Sequence, residues 1–467
     1  MLITFEDQVE MVQKQALVTG APNIRFLYAS RTIPGQEGID TFLEPLIAGL
    51  TEPLTEEEKE SGRWEPPTQD RVIFEGTMDE AEDFFNQTHN VFWASRAPIN
   101  MYTDGLPIVL PTEERVKKML KATSHKPDEM ITLQSDRPGF GPMARKKGQV
   151  VEFGPMNWTA TVETIAVNAV MAGCKPEYFP IVLAIAESGC GTGTTVFWSQ
   201  WQVISGPIAK EIGMNAGTAM LDPGSRANAT IGRAYQLISI NVGGAVPGIN
   251  RMNSIGSPFN TGGTCFAENA DGLPPGWLGI NEEYGYDKND NVVMVMNTGG
   301  GISGGEFSPG GYRALQKMGH GGVARRMGVR NQPGPHNWME YLLPGIWANR
   351  EGSRTFIMAP QMAADLHKIG FKSKDDVYQW IYDNAKVPVK DYKLYSWQDM
   401  YTGGGMAKER TSGKRWKELE DDYMVPVMGD NPRDNCIIIG GGPEEVCLSL
   451  GGRSAMMNPI YSIDAWK

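Results

Sequence analysis

Trp201-Gln202-Val203-Ile204-Ser205-Gly206-Pro207 is an apolar run closed by a small residue, a glycine and a proline, and it opens onto Ile208–Ile212. The run has the length and composition of a buried strand, and a proline suits a first helical turn because no backbone N–H is needed there. The spacing therefore predicts a strand feeding a helix that closes at Gly213. The same punctuation recurs at Phe356-Ile357-Met358-Ala359-Pro360, which runs into Ala363, Ala364, Ile369 and Gly370. Two readings stay open: a duplicated strand–helix unit whose halves face each other across an active site, or the ordinary reuse of such punctuation in α/β proteins. Either way, strands alternating with helices argue for an α/β fold with largely parallel mixed sheets, helices on both faces and glycine-rich loops.

Working outward, Val162, Ile165, Ala166, Ala169 and Val170 lie on one helical face, and Gly173 followed by Pro176 supplies the stop. Tyr178 to Glu187 is apolar throughout, so periodicity alone leaves helix and buried strand open. Asp222-Pro223-Gly224-Ser225 makes a turn before a helix from about Ala229, with Ile231, Ala234, Tyr235 and Ile238 on one stripe. Val292–Met296, Thr355–Met358 and Asn435–Ile439 read as strands, and Gln361–Ile369 and Asp375–Asn384 as helices. Toward the N-terminus, residues 6–17, 38–50, 77–90 and 112–121 have helical spacing, and Ile24–Ala29 reads as a strand. Tyr102–Val109 is extended, and the acidic, proline-bearing stretch 51–70 reads as a linker. The expected organisation is an N-terminal segment and linker over 1–70, a central α/β domain over 71–345, and a C-terminal α/β unit over 346–467 packed on it.

The 467 residues carry a net charge of −12 and a pI near 5.1, which argues against nucleic acid as a partner because phosphate neutralisation needs a basic surface. The chain is 41% hydrophobic and 21% charged, a globular composition. No run approaches the ~20 apolar residues of a membrane span, and Met1–Asp7 lacks the order of a signal peptide. Five cysteines, Cys174, Cys190, Cys265, Cys436 and Cys447, are too few and odd in number for a disulfide scaffold. A reduced, cytoplasmic protein is the expectation.

Three segments carry candidate chemistry. Asp222–Arg233 is a glycine-bearing turn feeding a helix whose first N–H groups are free, with Arg226 before it and Arg233 further along. Free amides, a helix dipole and a guanidinium make a carboxylate or phosphate site, which nominates Arg226, Asn228, Thr230 and Arg233 for substrate binding. The alternative is that Asn228 merely caps the helix and the arginines pair with structural acids. Cys174 stands at a helix end and Cys190 in Ser188–Thr195, where glycines leave a sulfur accessible; only a thiolate is nucleophilic, and nearby N–H dipoles and cations favour it. Against this, Cys174 could be an apolar filler and Cys190 a small loop residue, while Cys265, Cys436 and Cys447 read as structural. Glu268, beside apolar Ala267, is a candidate general acid or a solvated loop glutamate. Among His89, His125, His320, His336 and His367, no HxxxH or HExxH spacing marks a metal site, and His320 between glycines is the best acid/base candidate. Gly299–Gly304 formally matches GxGxxG, but Pro309 interrupts the helix that should follow, so no nucleotide cofactor is implied. Gly413-Lys414 is followed by Arg415, not the Ser or Thr of a Walker A loop, and no GxSxG elbow occurs.

Tyr102-Thr103-Asp104-Gly105-Leu106-Pro107-Ile108-Val109, Pro111–Val116, Ala160–Tyr178, Gly206–Ala209, Arg226–Ala234, Cys265–Asn269 and Ser462–Trp466 together resemble the family associated with UGSC-motif (seleno)proteins. The resemblance spans residues about 75 to 467; Tyr102 replaces a usual Trp and Leu110 a usual Pro. In that family a domain with a U/C-G-S-C loop often precedes this region. No such loop occurs here, and residues 22–58 look like only its last strand and helix. The resemblance thus implies a separate small redox subunit docking on this remnant, and names no substrate.

The combined expectation is an enzyme acting on a small anionic or polar organic molecule by thiol-assisted reductive cleavage or elimination, an oligomer without membrane partners. Arg226 and Arg233 would hold charge, with Asn168, Asn228 and Thr230 beside them. Cys174 or Cys190 would be nucleophile or relay, near the Asp104 loop, and Glu268 or His320 would move protons. The alternatives are an acid/base lyase or hydratase with inert cysteines, and a non-catalytic scaffold subunit.

Overall fold

The computed structural model describes residues 1–5, 9–18, 20–29, 36–60, 71–89, 98–136, 145–191, 199–247, 251, 264–298, 354–392, 405–409, 411–426, 428, 431–443, 446–451 and 459–467. His320, His336 and the glycine segments 192–198 and 299–311 lie outside them.

The chain opens with β1 (Leu2–Phe5), α1 (Val9–Val18), β2 (Phe26–Ala29), α2 (Gln36–Thr51) and the single turn α3 (Glu56–Lys59). β1 and β2 pair in parallel from Leu2 opposite Phe26 to Phe5 opposite Ala29. Arg25 binds the Glu58 carboxylate through Nε at 2.6 Å and the Gly49 carbonyl through Nη1 at 2.9 Å, which ties the α2–α3 junction to the strand. The expected linker is therefore partly helical: Thr55 accepts the Glu58 N–H while Glu58 reaches back to the Thr55 N–H, a reciprocal cap that starts a helix even in a short acidic run.

Next come α4 (Met78–Phe85), a small antiparallel pair of β3 (Thr88–His89) and β4 (Ile99–Asn100), and α5 (Glu113–Leu120), with Thr77 and Thr112 capping the two helices. α6 (Val162–Met171) begins at the Thr161 cap and ends where Gly173 takes φ +86°, as its stop signals required. The ambiguous apolar run is α7 (Phe179–Ala186), with every side chain buried, so no polar face existed to show its period. β5 (Ser199–Ser205), α8 (Ile208–Glu211), α9 (Arg226–Asn241), β6 (Thr264–Ala267), α10 (Ile280–Glu283) and β7 (Val292–Thr298) complete the central part. The C-terminal part holds β8 (Arg354–Met358), α11 (Pro360–Ile369), α12 (Lys374–Asn384), β9 (Lys386–Pro388), α13 (Val389–Tyr392), β10 (Met424–Pro426), β11 (Cys436–Ile439), β12 (Cys447–Gly451) and β13 (Ile460–Ser462).

Two mixed sheets organise the core. One runs β13-β7-β5-β6, the other β11-β8-β12. β5 is parallel to β6 and β8 to β11, whereas β7, β12 and β13 pair antiparallel, so among the described strands parallel pairing is limited to those neighbours and β1–β2. Strand alternation sets the layers. Ile204, Cys265, Ala267, Val293 and Val295 meet α6, α7 and α9 on one side of the first sheet. Trp201, Val203, Phe266, Met294 and Met296 on its other side meet Ile357, Cys436, Ile438 and Leu450 of the second. The far side of the second sheet, Phe356, Met358, Ile437 and Ile439, is covered by α11 and α12. The result is helices, sheet, sheet, helices. Each sheet carries helices on one face rather than on both, because the two inner faces are apolar enough to cover each other. β13 returns to the central sheet, and Trp466 beyond it is fully buried with its indole N–H on Glu187 Oε1 at 2.6 Å. The last residues thus belong to the central part.

Candidate functional site

One face of α9 presents Arg226, Thr230, Arg233 and Asn241 at helical spacing, and the segment Tyr102–Val109, expected to be extended but bent over 102–106 with Gly105 at φ +84°, is strapped along it and along α6. Asn241 Nδ2 donates to the Tyr102 carbonyl at 3.0 Å and to Asn168 Oδ1 at 2.9 Å. Arg233 grips Asp104 with both carboxylate oxygens, at 2.9 and 2.8 Å, and also donates to the Leu106 carbonyl. The Val109 N–H donates to the Met171 carbonyl at the end of α6. The pair is largely shielded, with 14% of the Arg233 side chain and 10% of the Asp104 side chain exposed. Such a bidentate pair orients rigidly. Arg233 and Asp104 therefore hold the strap in the resting structure.

At the start of α9, Arg226 donates through Nε and Nη2 to the Gly173 carbonyl at 3.3 and 3.0 Å, while the residue itself stays exposed. Next in the chain, Cys174 Sγ lies 3.3 Å from the Thr230 carbonyl as its hydrogen-bond donor. Burial pushes this thiol up to about 12, and the Thr230 contact and the charges of Arg226 and Arg233 only partly oppose it. The resting group is a thiol, not a thiolate. Asn228 is held by its own fold: Oδ1 accepts from the Asn215 N–H and the Ser225 hydroxyl, and Nδ2 donates to the Asn215 and Met220 carbonyls. It pins the 215–220 loop over the helix start, where Ser225 supplies the cap. Asn228 is thus neither free for a ligand nor the cap that the sequence alternative made it: it is inside the helix, and its side chain is spent on the 215–220 loop.

Cys190 sits elsewhere. It is fully buried with φ +42°, in a loop where a Cβ at Gly189, itself at φ +74°, would stand 2.5 Å from the Glu152 carbonyl oxygen. The Tyr235 hydroxyl holds the Gly191 carbonyl at 2.7 Å, and burial pushes the Cys190 thiol far up. The accessible sulfur expected there is absent, because Cys190 is fully buried and Gly189 lets the Glu152 backbone approach closely rather than opening a cleft.

Glu268 lies at the carboxyl end of β6, in a different cluster. Its Oε2 accepts from Ser205 Oγ and the Ile280 N–H at 2.8 and 2.9 Å; its buried Oε1 has no hydrogen bond and lies 3.5 Å from Lys374 Nζ. Lys374 also bonds Glu283 Oε2 at 2.7 Å, and Glu283 takes Arg433 and the Tyr378 hydroxyl on its other oxygen. Burial pulls the Lys374 ammonium down, but Glu283 and Glu268 more than offset this and raise it. Lys374 was invisible in sequence, since its partners stand about a hundred positions away and Ser373-Lys374-Asp375-Asp376 reads only as a helix start.

The structure thus assembles Asp104, Cys174, Arg226, Thr230 and Arg233, with Asn168 alongside through Asn241, and separates them from Cys190 and Glu268. Among the described residues no group of histidine, cysteine and carboxylate side chains has the makings of a metal site, and no helix is long and apolar enough to cross a membrane. Comparison with protein-family models, curated proteins and solved structures found no match to this chain.

Proposed function

We propose that the protein is an enzyme acting on a small anionic or polar organic molecule at the junction of α6 and α9, with Arg226 as the anion-binding group and Cys174 as the reacting sulfur. One observation carries this reading: an exposed guanidinium fixed on the Gly173 carbonyl stands next to a cysteine whose sulfur feels its charge. The buried thiol implies a resting form that a bound substrate or partner must open. In the reductive version Cys174 and a thiol of a separate small subunit lose two electrons and two protons to form one disulfide, while a substrate R–X bond becomes R–H and H–X. In the elimination version no electrons are exchanged. The resemblance to UGSC-associated proteins is the support for the partner, and the recurring strand–proline–helix pattern of β5–α8 and β8–α11 is the support for two related halves. We hold a cytoplasmic setting and an oligomeric assembly as parts of the same proposal.

A second reading has its own observation. The unbonded Glu268 Oε1 beside Lys374 suits proton transfer, which favours an acid/base lyase in which no sulfur reacts. A non-catalytic scaffold is favoured by the Asp104–Arg233 pairing. Thermal-shift screening of small organic anions against wild type and Arg226→Ala tests the anion site. An anion that stabilises the wild type and not the variant supports it. Equal stabilisation of both removes it.

A further inference from the structure

The N-terminal unit exposes more apolar surface than its own elements can cover. On α2, Leu43, Ile47 and Leu50 form a stripe spaced four and three residues apart, exposed by 47%, 51% and 68%, and Leu54 just beyond is 51% exposed. Phe42 and Leu46, on the adjacent face, are the half-buried side that packs inward. Among the described residues the sheet of this unit has two strands, and Ile3 and Phe5 on one of its faces are 54% and 39% exposed. Two paired strands are marginal without further cover. A groove of about 480 Å³ between α1, β2 and α3 is floored by Leu17, Pro22, Ile24 and Phe26, with Glu57 at its edge.

The charge around this surface says what covers it. Glu44, Glu52, Glu56, Glu57 and Glu60 are all exposed, while Arg25 is engaged by Glu58 and Lys59 by Glu56. A second copy of the chain would bring the same acidic border against itself, and like charges across an interface are unfavourable. We propose that the outer face of α2, with the groove of the same unit, docks a separate polypeptide that presents an apolar helix face bordered by lysine and arginine. This gives a surface and a charge to the partner invoked above and rests on that part of the reading alone.

The test uses the full chain and a fluorescein-labelled amphipathic peptide of about five helical turns built from leucine and lysine, with a leucine–glutamate peptide as its counterpart. Fluorescence anisotropy is expected to show binding of the leucine–lysine peptide to wild type, a loss of about tenfold or more in I47E/L50E, and no binding of the leucine–glutamate peptide. Both substituted side chains are exposed, and Glu57→Lys provides an independent variant with the same expected direction should I47E/L50E fail to fold. Equal affinity for wild type and both variants overturns the proposal, as does absence of binding. A wild-type dimer in light scattering that I47E/L50E converts to monomer assigns the stripe to a second copy instead. Co-sedimentation with phosphatidylcholine vesicles that the variant loses assigns it to a membrane. The readout is binding rather than turnover, so each of these failures leaves the Cys174 reading standing.

Discussion

Asp104→Ala removes the acid that Arg233 grips and leaves that guanidinium, 14% exposed, with the Leu106 carbonyl as its remaining partner in the strap. Two charge-assisted hydrogen bonds are lost, each worth about 1.5–3 kcal/mol in a shielded setting. Breaking a fully buried pair costs about 3–5 kcal/mol, and the slight exposure here trims the expectation to about 2–4 kcal/mol. For a part of this size that corresponds to a fall of about 4–10 °C in Tm. Urea titration of wild type, Asp104→Ala, Arg233→Ala and the double variant gives the pair's own share, with a coupling of about 2 kcal/mol expected because the groups touch. Cys174 should alkylate faster in the single variants, since the strap and the Gly173–Cys174 turn both lie on α9. A coupling below about 0.5 kcal/mol would place the pair with ordinary surface contacts and refute the view that it fastens the strap.

Further outcomes follow from the same contacts. Cys174 and Cys190 should resist iodoacetamide near neutral pH in the folded chain and react promptly in urea, because burial holds both as thiols; mass spectrometry of digests distinguishes the two sites. Lys374→Met leaves Glu268 and Glu283 facing each other without their shared cation and is expected to destabilise by about 3–5 kcal/mol in a chemical melt, an effect of under about 1 kcal/mol contradicting the burial argument. Glu58, held down to about 2 chiefly by the Arg25 hydrogen bond, has a folded value below its ordinary 4.5. Its contribution is therefore fully present above about 4.5 and is lost as pH falls toward about 2. Hydrogen-exchange protection over residues 36–59, taken relative to the intrinsic exchange rate at each pH, should fall through that window, and Glu58→Gln should flatten that fall.

The strand–proline–helix units were legible because their signals are local: β5 into α8 and β8 into α11 stand where apolar runs, proline and glycine put them. The face-to-face packing of the two sheets was not, since the alternation of Trp201 and Val203 against Gln202 and Ile204 says that both faces are buried without naming what covers each. β6, β12 and β13 escaped because each is a short edge strand of three to five residues, where β-propensity is weak evidence. The site divided in the same way. Thr230 and Arg233 lie on the helix that the sequence placed from about Ala229, but Arg226, expected before it, is its first residue because Ser225 supplies the cap; Cys174 joined them through the turn at Gly173. The pairing of Arg233 with Asp104, 129 positions away, and of Lys374 with Glu268 and Glu283 depends on tertiary contacts that leave no local trace.

Turnover of an Arg226-dependent anion by Cys174→Ala and by Cys190→Ala, measured as product formed in the presence of a dithiol reductant, puts the central claim to its most direct trial. Loss of product with Cys174→Ala, at unchanged anion binding and with Cys190→Ala still active, is the predicted result. Full activity in Cys174→Ala would contradict the account and move the chemistry to Glu268 and Lys374.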